Sequence, residues 1–169
     1  MVHSIELVFD EDTESAVRLI WAELAAIGVP SQAPASRPHV TLAVAQRIDT
    51  RVDAELAPVV ARLPLDCTLG ASLIFGRSHG VLARLVVPTR DLLDLHAEVY
   101  RRSAPHLQPT PMANVLPGQW TPHVTLARRV GPGQLARSQR IAGRSEIAGR
   151  FVGLRHWNGK SRTEQQISG

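Results

Sequence analysis

Two hydrophobic periods alternate along the chain, one of about two residues and one of about 3.6, and they mark out strands and helices in turn. Ser4 to Phe9, "SIELVF", mixes apolar and β-branched residues and stops at the acidic turn "DEDT", which predicts a strand. "ESAVRLIWAELAAIG" then sets Val17, Ile20, Trp21, Leu24 and Ile27 at helical spacing, with Asp12 or Thr13 as the cap and Gly28 as the stop. "VPSQAPASRP" is a loop. "HVTLAVA" returns to strand character, and "DTRVDAELAPVVARL" predicts a helix that Pro58 ends or kinks. Two further strands, "LDCTLGASLIFG" and "VLARLVVP", are separated by the turn "RSHG". "TRDLLDLHAEVYRRSA" puts Leu92, Leu95, His96 and Val99 on one helical face behind an N-cap at Thr89. The long proline-rich segment "PHLQPTPMANVLPGQWTP" is placed where a lid or substrate-facing loop belongs. A second "HVTLA", the weaker helix "GPGQLARSQRIAG" and the strand "EIAGRFVGLRHWNG" complete the pattern.

The order repeats. "PHVTLA" occurs at Pro38 to Ala43 and again at Pro122 to Ala127, each time after a helix and a loop and before another helix and strand. From His39 to the strand near Leu65 is 26 residues, and from His123 to the one near Ile147 is 24. This predicts an α+β fold of duplicated β-α-β-β units: one domain over residues 1–169, made of two pseudo-symmetric lobes with two antiparallel sheets flanking a central cleft.

Alternation along a strand sends His39 and Thr41 to one face and Val40 and Leu42 to the other; His123 and Thr125 are likewise opposed to Val124 and Leu126. Strand propensity accounts for Val, Thr and Leu, but not for a histidine at the same register twice. If the two strands lie side by side, two imidazoles and two hydroxyls share one cleft. That set suits in-line displacement at phosphorus, one histidine taking a proton, the other giving one, and the hydroxyls donating to the non-bridging oxygens. The chemistry requires neither metal nor cofactor, and the motifs lack the acidic or cysteine ligands of a histidine metal site. The proline before each histidine removes a backbone donor and holds its predecessor extended.

Composition narrows the setting. Cys67 is the only cysteine, which excludes an intrachain disulfide and a cysteine-based zinc cluster and marks Cys67 as a small buried residue. No stretch approaches the roughly 20 apolar residues of a membrane span and the first residues carry no signal-peptide pattern, so a soluble cytoplasmic monomer is expected. The formal net charge is +4, with eighteen arginines and one lysine, Lys160; nine of these cations fall between Arg128 and Arg162 with Glu146 the only acid. That quarter is the expected basic face for a polyanion.

On its two "HVTL" motifs, His39 to Leu42 and His123 to Leu126, the chain resembles the 2H phosphoesterase superfamily. Within it, the extension "PHVTLAR" is similar to the bacterial 2′-5′ RNA ligase-like proteins, also described as RNA 2′,3′-cyclic phosphodiesterases. The resemblance implies a bilobal α+β fold and opening of a 2′,3′-cyclic phosphate to a 2′-phosphate. It makes His39 and His123 the acid–base pair and Thr41 and Thr125 the phosphate holders, with His123 activating water and His39 protonating the 3′ leaving oxygen. Arg128 follows the second motif, as a rim residue for substrate phosphate or as a solvated arginine. Trp157, in "RHWNG", is either a core residue or a platform for a base, and His156 beside it is a lesser candidate. With 4% aromatic residues the chain has few stacking platforms, which favours a small cyclic nucleotide or a terminal cyclic phosphate over long RNA. The opening "HSIELVFDED" departs from the usual start of the ligase-like members and points to a divergent branch. Reversible 2′-5′ ligation of RNA ends, and a non-catalytic RNA- or nucleotide-binding module that keeps the cleft, are the alternatives.

Overall fold

The computed structural model describes residues 2–29, 36–76, 79–109 and 113–169. In chain order they form β1 (His3–Phe9), α1 (Glu11–Ala26), β2 (His39–Ala45), β3 (Arg47–Ile48), α2 (Val52–Val60), β4 (Leu65–Phe75), β5 (Gly80–Val86), α3 (Arg90–Ser103), β6 (Leu107–Gln108), β7 (His123–Val130), α4 (Leu135–Ala142), β8 (Ile147–Asn158) and β9 (Thr163–Ile167). The fold is α+β. Each half runs β-α-β-α-β, as β1-α1-β2-α2-β4 and β5-α3-β7-α4-β8, so a second helix sits between the last two strands of each β-α-β-β unit.

There are two sheets of unequal size among the described residues, and in the large one seven antiparallel strands run in the order β1-β2-β7-β5-β4-β8-β9. β1 also pairs with β8, so the sheet closes on itself. The reason is an exchange of strands. β4, the last strand of the first half, pairs with β5 of the second, while β8 pairs with β1 of the first and with β4. β3 and β6 make a small separate ribbon. α1 packs on β7 and β8, α4 on β5, α3 on β2, and α2 on α3 and β9. One core runs through both halves. It includes Ile5, Leu7, Val17, Leu24, Val40, Leu42, Leu56, Leu69, Leu82, Leu92, Val124, Leu126 and Phe151, all 0–1% exposed. Burying each such side chain stabilises by roughly 1.5–3 kcal/mol.

Local departures from the sequence pattern have physical causes. α1 is capped by Asp10, not by Asp12 or Thr13, because Asp10 is extended and its carbonyl already accepts from Glu14 N–H. Thr13 is buried against β8, where a Cβ on Gly149 would lie 2.0 Å from its hydroxyl. Gly28 ends the helix as expected, at φ +75. Pro58 stands inside α2, which stops two residues later. The loop expected at 29–38 and the turn at 77–80 fall partly on residues 30–35 and 77–78, outside the described residues. The long segment before β7, also without 110–112, is no free lid in its described parts. Leu107 and Val115 are buried, and Trp120 stacks on His96 with ring centroids 3.9 Å apart. Beyond Gly159 the polar "TEQQI" forms the edge strand β9, anchored by buried Ile167. Cys67 is buried as expected, and burial pushes its thiol up to about 12.

Two buried polar side chains serve as struts. The β4–β5 ladder shifts register between Leu69 and Ser72, and Arg84 reaches the backbone there. It donates to Gly70 O at 2.6 Å, Leu69 O at 2.9 Å, Ser145 O at 2.6 Å and Ala142 O at 2.5 Å, the last at the negative end of α4. His96 Nε2–H donates to Leu42 O at 3.1 Å and Val115 O at 2.9 Å, tying α3 to β2. Burial holds His96 below the ordinary histidine value despite those bonds, and burial with the charges of His156 and Arg47 does the same to His3.

Arg84→Leu is expected to lower stability by about 3 kcal/mol or more, because four carbonyls lose their donor; urea unfolding reads this as a lower midpoint at unchanged m-value. The lowered histidines have the opposite sign to a salt-bridged imidazolium. The unfolded chain protonates first, so their contribution is complete above the unfolded value of 6.5 and is lost as pH falls through the folded values. Unfolding free energy measured from pH 7.5 to 5 is expected to fall, with a shallower slope in His96→Gln.

Candidate active site

β2 and β7 meet at one antiparallel bridge, Val40 to Val124. Counting outward from it sets His39 opposite Thr125 and Thr41 opposite His123, all four on one face. The imidazoles are then diagonal neighbours, a relation that separates Cα atoms by roughly 7–8 Å. Val40, Leu42, Val124 and Leu126 turn the other way into the core. His39, Thr41, His123 and Thr125 remain half-buried.

The same local device orients both histidines. His39 Nδ1 lies 2.8 Å from Arg37 O, and His123 Nδ1 lies 2.7 Å from Thr121 O. A carbonyl only accepts, so Nδ1 carries the hydrogen in each ring and Nε2 is left for chemistry. The intervening Pro38 and Pro122 hold these carbonyls at the strand entrance, and Pro122 O itself accepts from Val86 N–H on β5. Arg37 is tied to α1 through Glu14 at 2.9 Å.

The strand carbonyls are buttressed in parallel. Trp21 Nε1–H on α1 donates to Thr125 O at 3.2 Å, and Trp120 Nε1–H donates to Thr41 O at 3.0 Å. Each indole therefore grips the backbone of one motif threonine, one residue from the bridge.

The two histidines differ in their surroundings. His123 tilts against Phe75 with ring centroids 4.6 Å apart. Burial pulls it below the ordinary histidine value; the Thr121 carbonyl opposes this, and the charges of His39 and Arg128 add to it. The exposed Arg128 thus acts on the site electrostatically. His39 instead faces a carboxylate: its Nε2 is 3.5 Å from Oε1 of Glu6, which is 3% exposed. Glu6 Oε1 accepts from Ser4 Oγ at 2.5 Å, and Oε2 accepts from Arg155 Nε at 2.7 Å. Arg155 also pairs with Glu164 on β9, and its guanidinium lies 5.4 Å from the centre of the Trp157 ring.

Trp157 is accordingly half-buried on Arg155, opposite Ser4, and belongs to the strand face that carries Glu6. His156 points the other way, opposite Ile5, with Nδ1 3.1 Å from Asp53 of α2 and Nε2 3.3 Å from His3. It joins α2 to the sheet and stands apart from the motif histidines. The basic run from Arg128 to Arg162 does not form one face. Arg155 is buried, Arg144 pairs with Glu23 and Arg150 with Asp66, while Arg137, Arg140 and Arg144 border a groove between α1 and α4.

Glu6, Arg155, Ser4 and Phe75 are absent from the motif reading. The alternation of Ser4 and Glu6 with Ile5 and Leu7 marks a polar strand face, but their nearness to His39 depends on the pairing of β1 with β2. Among the described residues no group of three or more His, Cys, Asp or Glu side chains is arranged to hold a metal ion, and no helix is long and apolar enough to cross a membrane.

No curated protein sequence matches the chain. Among solved structures, the protein TT0787 of Thermus thermophilus superposes with a TM-score of 0.62 at 18% identity, covering 99% of this chain and 96% of its own. E. coli LigT complexed with 3′-AMP gives 0.58 at 15%, covering 97% and 91%. Usb1 of Kluyveromyces marxianus gives 0.54 at 10%, covering 99% and 98%. These likenesses establish the shared fold. The family model described as the 2′-5′ RNA ligase superfamily matches residues 12–152, so the chain belongs to that superfamily, among the 2H phosphoesterases.

Proposed function

We propose that the chain is a metal-independent phosphodiesterase that opens a 2′,3′-cyclic phosphate, on an RNA end or a small nucleotide, to a 2′-phosphate. The observation that carries this reading is the facing pair of His–x–Thr strands, with matched Nδ1–H to carbonyl bonds that make Nε2 the reactive nitrogen of each ring. His123, disfavoured as a cation by burial and by neighbouring positive charge, is the base. Its Nε2 takes a proton from water as the water oxygen attacks phosphorus. The bond from phosphorus to O3′ breaks, and His39 Nε2–H gives its proton to that oxygen. His123 ends protonated and His39 neutral, and exchange with solvent restores both. Thr41 and Thr125 donate to the non-bridging oxygens as charge builds, and Arg128 supplies positive potential at the rim.

Support for a nucleotide-sized substrate comes from LigT, solved with 3′-AMP and with ATP, and from Usb1, solved with uridine monophosphate. The same proton transfers with a 5′-hydroxyl in the place of water, O3′ again leaving with the proton from His39, join that hydroxyl to the 2′,3′-cyclic end through a 2′-5′ bond, so reversible 2′-5′ ligation is the second reading, favoured by the superfamily match. Trp157, half-buried on Arg155, is the proposed platform for a base.

With a 2′,3′-cyclic nucleotide and a cyclic-ended oligonucleotide in EDTA, the wild type is expected to release 2′-phosphate, and His39→Ala and His123→Ala are each expected to lower kcat/KM by about 10²–10⁴-fold. Adding 5′-hydroxyl RNA tests ligation directly. Turnover in both variants equal to that of the wild type overturns the hydrolytic reading; absence of turnover over a broad panel overturns it too and leaves a binding module, whose affinity then falls with salt. The acid limb of kcat/KM is expected below pH 6.5, the ordinary histidine value, because His123 must be neutral and is held lower.

A further inference from the structure

Glu6 is the one carboxylate facing a motif histidine among the described ion pairs, and three independent features place it there. The first is register. Through Ile5, which faces Ala43, the β1–β2 ladder would set Glu6 opposite Leu42, on the core side. A bulge between Ile5 and Glu6 skips Leu42 and sets Glu6 opposite Thr41 instead, on the face of the motif. The second is orientation. Arg155, directly across on β8, donates to Oε2 from Nε and from its terminal nitrogen, both at 2.7 Å, and Ser4 donates to Oε1. With these bonds made, Glu6 is held in place and is not free to serve as a base itself. The third is charge balance. Glu6 and Glu164 share the single guanidinium of Arg155, so the three side chains together carry one net negative charge.

We propose that Glu6 is the positioning residue that keeps His39 in its proton-donating form, through an imidazolium–carboxylate pair built by the bulge in β2. This rests on the reading of His39 as the general acid. The charged groups around His39 are Glu6 on β1, Arg155 on β8, Glu164 on β9 and His123 on β7 with Arg128 beyond it; Arg37 turns to Glu14. Of these, Glu6 alone is a buried anion within ion-pair distance of Nε2. The asymmetry of the site follows. Two identical hexapeptides become an acid and a base because one faces Glu6 and the other faces Phe75 and positive charge.

Glu6→Gln keeps the shape and removes the charge. The alkaline limb of kcat/KM on a 2′,3′-cyclic nucleotide is expected to move to lower pH, with a loss of about tenfold or more at pH 8, near wild-type rate at pH 5.5 and unchanged KM. Glu6→Asp, which draws the charge back by one methylene, is expected to move the limb less; should the Gln variant not fold, Asp carries the test. An unmoved limb, or an equal loss at every pH, overturns the inference. ¹⁵N-edited NMR titration of the His39 ring, without substrate, separates the two hypotheses. A chain inactive on cyclic phosphates whose His39 transition still moves to lower pH in Glu6→Gln refutes the proposed reaction and retains Glu6's role. An active chain whose His39 transition does not move refutes Glu6's role and retains the reaction.

Discussion

A single antiparallel bridge, Val40 to Val124, is the contact on which the site depends. Side chains on paired strands share a face only in the correct register, and a slip of one residue turns a histidine into the core. One bridge cannot secure that register alone. It is secured from outside by β1 on the far edge of β2, by β5 on the far edge of β7, and by the two indoles that hold Thr41 O and Thr125 O.

The exchange of final strands gives that arrangement its stiffness. With β4 completing the sheet around β5 and β8 completing the sheet around β1, neither half can move as a unit without breaking ladders to the other. Arg84 and His96 add struts by donating to strand and helix carbonyls. Buried polar groups of this kind are costly when half-satisfied and rigidifying when complete. Here they hold α4 to the β4–β5 pair and α3 to β2, the elements that back the two motif strands.

Symmetry at the level of motif coexists with asymmetry at the level of field. Both imidazoles are set by a carbonyl two residues earlier, and both threonines by an indole. The electrostatic neighbours break the match, because β1 brings a buried carboxylate to His39 while β4 brings Phe75 to His123. The surroundings of the two copies thus differ in charge, although their sequences are identical.

Local chemistry determined much of this protein. The hydrophobic periods placed β1, α1, α3 and β5, Thr89 capped α3 as its side chain dictates, and the doubled "PHVTLA" marked the face that His39, Thr41, His123 and Thr125 share. These are legible because alternation and helical spacing depend only on neighbours in the chain. The cap of α1, the strand β9, the docking of the segment before β7 and the company of Trp157 were decided by partners far away in sequence. So was Glu6, 33 positions before His39 and 149 before Arg155. A carboxylate in "SIELVF" becomes a partner of an imidazole only through a bulge, a register and a strand exchange, and those are properties of the tertiary structure.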